Sequence, residues 1–109
     1  MSIEARHKTI VKLTIPLSSD PVFFNVEDRN TTISQQLEMV ADSFEDDNRT
    51  HEAMQLRQLM NDHVPFVKGQ MVPPGTVMSA LAYSQTVVDN IPVDFVEMTL
   101  LKQHVGGKE

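Results

Sequence analysis

The largest periodic apolar surface in this chain lies between Thr32 and Phe44, and any fold it adopts must cover that surface. Ile33, Leu37, Val40, Ala41 and Phe44 recur at helical intervals. Thr32 and Gln35 have the spacing of a capping box, in which each side chain satisfies a backbone N–H of the first turn. The pattern predicts an amphipathic helix over 32–44. Burial of Ile33, Leu37, Val40 and Phe44 contributes about 1.5–3 kcal/mol each, against a few tenths of a kcal/mol for local propensity. Whatever packs on that stripe therefore decides the fold.

The flanking segments are β-rich. Ile10, Val11, Leu13, Ile15 and Leu17, with Lys12 and Thr14 interleaved, give a strand that is apolar mainly on one face. Ser18-Ser19-Asp20-Pro21 supplies turn chemistry, and Val22-Phe23-Phe24-Asn25-Val26-Glu27 restarts an extended run, so the two strands read as a hairpin. Asp28-Arg29-Asn30 closes it before the helix. After the helix, Glu45-Asp46-Asp47-Asn48 is an acidic break, and 50–62 reads as a second helix with Ala53, Leu56, Leu59, Met60 and Val64 on one side. Met54 and Met60 at this spacing read as core.

Residues 64–67 read as a short strand in which Pro65 fits at an edge or a strand start. Lys68-Gly69 turns the chain into Gln70-Met71-Val72, Pro73-Pro74-Gly75 turns it again, and 76–81 forms a helical turn. Residues 83–94, with Asn90-Ile91-Pro92, read as loop. A final strand follows, with Val96, Met98 and Leu100 alternating with Glu97 and Thr99, and it gives way to a short polar run and Gly106-Gly107. Strands, a main helix and further strands in this order predict an α+β class.

Composition limits what such a fold can do. At 109 residues, with 40% hydrophobic and 22% charged, one core is expected. A formal charge of −6 without a Lys/Arg cluster disfavours nucleic acid as a partner. There is no cysteine to form a disulfide, a thiolate metal site or a nucleophile. No stretch has the roughly 20 apolar residues of a membrane span, and residues 1–8 have no apolar signal core. A cytoplasmic location is the expectation.

His7, His51, His63 and His104 are scattered without metal-ligand spacing. No nucleophile elbow or phosphate loop frames the serines, and Asp42, Glu45, Asp46 and Asp47 lack calcium-loop spacing and read as a solvated helix end. No metal, no cofactor and no catalytic residue are expected.

The element order and the ending together resemble the ubiquitin-like β-grasp family, from about Ile10 to Gly107. The resemblance is carried by Thr32-Ile33 opening the main helix after a hairpin, by Phe66-Val67-Lys68-Gly69-Gln70-Met71 followed by Gly75-Thr76-Val77, and by Met98-Thr99-Leu100-Leu101 set before Gly106-Gly107. It implies a mixed sheet packed on one main helix, with an extra helical insertion over 48–63 that ubiquitin lacks. The divisions expected are a leader at 1–8, a ubiquitin-like domain at 9–103 and a flexible tail at 104–109.

The resemblance further implies a protein modifier precursor rather than an enzyme, in which Gly106 and Gly107 are the conjugation and processing residues and Lys108-Glu109 is removed to free the Gly107 carboxylate. Implied partners are a processing protease, activating and conjugating enzymes, and target proteins. Partner contacts are expected on the outward face of the sheet at Pro65, Thr99 and Leu101, with Leu101 read equally well as core. The segment 102–105 lacks the arginines of ubiquitin's tail, and a non-conjugated β-grasp interaction or scaffold domain is the alternative reading.

Overall fold

In the computed structural model, which describes residues 8–16 and 20–102, the first and last strands lie side by side at the centre of a six-stranded mixed sheet. The strands are β1 (Lys8–Thr14), β2 (Val22–Asn25), β3 (His63–Val67), β4 (Gln70–Met71), β5 (Ser84–Val88) and β6 (Ile91–Lys102). The helices are α1 (Ile33–Asp46) and α2 (Thr50–Asp62), with a single 3-10 turn at Met78–Ala80. The sheet runs β2-β1-β6-β3-β4. β1 and β6 are parallel over Lys8↔Val93 to Thr14↔Thr99, and β2 is antiparallel to β1. Along its other edge β6 pairs antiparallel with β5 over 91–95 and with β3 over 98–102.

One face of this sheet carries Val11 and Leu13 from β1, Val67 from β3, and Val96, Met98 and Leu100 from β6, all buried. The α1 stripe of Ile33, Leu37, Val40, Ala41 and Phe44 packs on it, as the sequence pattern requires. The capping box forms: the Gln35 N–H donates to Thr32 Oγ1 at 3.1 Å and the Thr32 N–H to Gln35 Oε1 at 2.8 Å. The segment around the 3-10 turn is stitched to this helix start. The Ile33 N–H donates to the Thr76 carbonyl and the Met78 N–H to that of Thr31, which seats Met78 in the core.

The extra helix α2 buries Ala53 and Leu56 against the same core, with Leu59 and Met60 half-buried beside them. Met54, expected in the core, is exposed, because at 3.6 residues per turn it is rotated off the side that carries Ala53, Leu56 and Met60. Arg57 pairs with Glu38, Asp42 and Glu45, three acids along one side of α1. Two of the acids read as a solvated helix end are thus tied across the helix pair. The Arg57 pKa is raised, first by its hydrogen bond to Glu45.

Residues 84–88, expected as loop, are β5, and they form a hairpin with the start of β6. Asp89 and Asn90 at its tip both have positive φ, 53° and 66°, the backbone of a two-residue type I′ turn. The last strand accordingly begins at Ile91 rather than near Val96. Pro92 is accommodated because the hairpin closes at Val88↔Ile91, which turns the Pro92 nitrogen away from β5, and the β1 ladder begins only at Val93.

Candidate protein-interaction face

The strand β6 sorts its side chains by strict alternation from Asp94 onward. Val96, Met98 and Leu100 point to the helices, while Glu97, Thr99 and Leu101 point to the opposite face of the sheet. Neighbouring strands extend that outward face. Thr99 lies opposite Phe66 on β3 and Thr14 on β1, Leu101 lies opposite Val64, and Phe66 lies opposite Met71. Phe66, Lys68, Gly69, Glu97, Thr99 and Leu101 line an open depression of about 400 Å³.

Leu101 is 44% exposed and Met71 52%, so the depression has an apolar rim that no helix covers. Its charged margin includes Lys68 and the Lys12–Glu97 ion pair at 3.9 Å. Lys68 holds a left-handed conformation, φ 53°, and Gly69 follows at φ 78°, so the two-residue turn delivers β4 directly beside Phe66. An open, partly apolar depression with charges at its edge suits a side chain of a protein partner better than a small molecule. Among the described residues, no three His, Asp or Glu side chains converge as a metal site would require.

Of the residues singled out in the sequence, Thr99 and Leu101 share this outward face. The alternative of Leu101 as core is removed by its exposure. Pro65 does not join them. It lies opposite Leu100, is fully buried on the helix side, and lines a cavity of about 30 Å³ with Leu37, Met60 and His63. Pro65 is tolerated in β3 because its carbonyl and nitrogen face the short β4 edge. There the carbonyl accepts the Val72 N–H at 2.9 Å, and no ladder bond requires a proline N–H. The outward residue is its neighbour Phe66. A shift of one residue inverts a strand's faces, and the tight turn at Lys68-Gly69, which fixes Phe66 opposite Met71, is the sequence signal that identifies it. Gly106 and Gly107 lie outside the described residues.

A second polar constellation, invisible to the sequence reading, sits at the other end of β6. Arg29 donates through Nε and Nη2 to Thr9 Oγ1 at 2.9 and 2.6 Å, and through Nη2 to the Asp94 carboxylate. Its guanidinium lies 4.6 Å from the Tyr83 ring centre, and the Tyr83 hydroxyl donates to the Met78 carbonyl at 2.8 Å. Burial raises the Tyr83 pKa above its usual value, only partly opposed by the Arg29 charge. This cluster clamps the starts of β1 and β6 to the segments flanking α1 and the 3-10 turn. All its groups are engaged with one another, so its role is structural.

No family model and no curated protein matches the chain. Among solved structures, Caldiarchaeum subterraneum ubiquitin superposes with a TM-score of 0.53 at 15% sequence identity, covering 92% of this chain and 99% of that one. At that identity the similarity establishes the fold: this chain has a ubiquitin-like β-grasp fold, with six strands, α1 and α2.

Proposed function

We propose that this chain is a ubiquitin-like protein modifier precursor, processed after Gly107 and joined through the freed Gly107 carboxylate to target proteins. The ubiquitin-like fold is one of modifiers and interaction modules rather than of catalysts. The observation that carries the reading is the placement of β6. The central strand of the sheet leads directly into the segment that contains Gly106-Gly107, and Thr99 and Leu101 on its outward face stand beside that exit. The five residues from Gln103 to Gly107 span at most about 17 Å, so an enzyme that grips the outward face has the reacting carboxylate within reach.

Activation requires a free carboxylate. The Gly107 carboxylate oxygen attacks the α-phosphate of ATP and expels pyrophosphate, and an enzyme cysteine thiolate then displaces AMP to leave a thioester. Neither step is open to Gly107 while it is in peptide linkage to Lys108. A protease that hydrolyses the Gly107–Lys108 bond, an activating enzyme and a conjugating enzyme are the partners this chemistry demands. Glycine at 106 and 107 supplies backbone without side chain for a narrow channel.

The test uses two forms of the chain. The form ending at Gly107 forms a thioester with its cognate activating enzyme and ATP, whereas the form ending at Glu109 does so only after proteolysis. Gly106→Val or Gly107→Val is expected to block cleavage or transfer, and a denaturant melt of each variant checks that the fold is kept. Mass spectrometry that finds the chain intact to Glu109 in its native cell, with a protease able to cleave after Gly107 active there, overturns this reading. It would support a non-conjugated interaction or scaffold domain, which the extra helix α2 and the absence of arginine from 102–105 favour.

A further inference from the structure

Three strands of this sheet have a free edge among the described residues, and two of them are guarded. β2 spans only Val22–Asn25 and is preceded by Asp20-Pro21, while β4 is two residues long and is followed by Pro73-Pro74. Short length, proline and charge are the devices by which native edges avoid pairing with other chains. β5, one residue longer than β2, has neither proline nor charge. In Ser84-Gln85-Thr86-Val87-Val88 all five residues are exposed, and Val87 is 65% and Val88 49% exposed.

The hairpin geometry fixes which groups that edge offers. A two-residue type I′ turn makes Val88↔Ile91 a hydrogen-bonded pair, and alternation makes Thr86↔Val93 and Ser84↔Phe95 the next ones. The N–H and C=O groups of Gln85 and Val87 therefore point away from β6, toward the free edge.

We propose that β5 pairs antiparallel with β5 of a second copy of this chain about a two-fold axis through Thr86. In that register Gln85 lies opposite Val87 of the other copy and Val87 opposite its Gln85, so both pairs exchange N–H···O=C bonds and all four outward groups of each copy are satisfied. A register displaced by two residues leaves one such pair unmatched. The occupant is a second copy because the strand is self-complementary in this register and carries no charge. Two chains of net charge −6 can approach along it without placing like charges opposite one another. The contact joins two sheets edge to edge and leaves Thr99 and Leu101, at the far end of β6, uncovered.

The dimer is weak, since pairing of one short strand falls below a standard interface. Sedimentation of the full chain from about 10 µM to about 1 mM is expected to show monomer passing to dimer, in the affinity range of such contacts. Amide signals of Gln85 and Val87 are expected to shift with concentration. Thr86→Lys sets two lysines face to face on the axis and is expected to lower the association constant by about tenfold or more. Val87→Pro removes only an outward N–H and is expected to abolish the dimer while the amide spectrum of β6 persists.

Monomer throughout the range overturns the proposal. So does a dimer that survives both substitutions, or concentration-dependent shifts centred on Phe66 and Leu101 instead. Gln85 and Val87 amides already protected from exchange in dilute monomer would mean that another part of the chain covers the edge, and would overturn it equally.

Discussion

Pro65 and Phe66 are adjacent in sequence and lie on opposite faces of the sheet, and Leu100 and Leu101 repeat the contrast across the ladder. Membership of the candidate interaction face is thus decided residue by residue. Leu101→Glu is expected to leave the domain folded, with a stability change within about 0.5 kcal/mol as for exposed sites, and to abolish binding of the activating enzyme in a pull-down or titration. Retained binding with a folded chain would exclude this face from recognition. Tyr83 gives a second prediction. Its pKa is raised in the folded state, so its stabilising contribution is complete below the unfolded value near 10 and is lost as pH rises through the folded value. Alkaline denaturation should show that loss in the parent chain, and Tyr83→Phe should remove the titration. The alternation of Thr99 and Leu101 was legible in the sequence, but the Arg29, Thr9, Asp94 and Tyr83 cluster was not. Its members are as much as 85 positions apart, from Thr9 to Asp94, and no local pattern links them.

At the level of elements, α1 was the most legible part of the chain because three independent signals agree on it: cap, period and terminal break. Leu37 is 2% exposed beneath it, so Leu37→Ala is expected to cost about 2–5 kcal/mol in denaturant melts. That is a large share of the roughly 5–15 kcal/mol of a typical domain. A loss below about 1 kcal/mol would contradict the packing of α1 on the sheet. α2 was visible as a helix, but its attachment was not, because Arg57 meets its three acids through tertiary packing rather than sequence spacing. β5 was missed for a different reason. Pro92 and Asn90 both signal loop, and only the positive-φ pair at Asp89-Asn90 reveals that they bracket a hairpin.

For the molecule as a whole, the decisive pairing is the parallel one between β1 and β6. Hydrophobic pattern alone could not disclose it, since the same alternation suits a parallel or an antiparallel neighbour, and the resemblance implied a mixed sheet without naming this pair. Lys8 and Val93 are 85 positions apart. A ribosome adding about 5–20 residues per second delivers the partner of β1 some 4–17 s after β1 itself. During that interval the β1–β2 hairpin and α1 can form locally, but the apolar surface of β1 and α1 lacks the strand that completes the sheet. The nascent chain must spend those seconds with its sticky inner surface open, a natural substrate for chaperones. A chain arrested before Ile91 is a stranded fragment rather than a smaller domain. Because the strand that closes the fold precedes Gly106-Gly107, any chain synthesised as far as those glycines already holds every strand of the sheet.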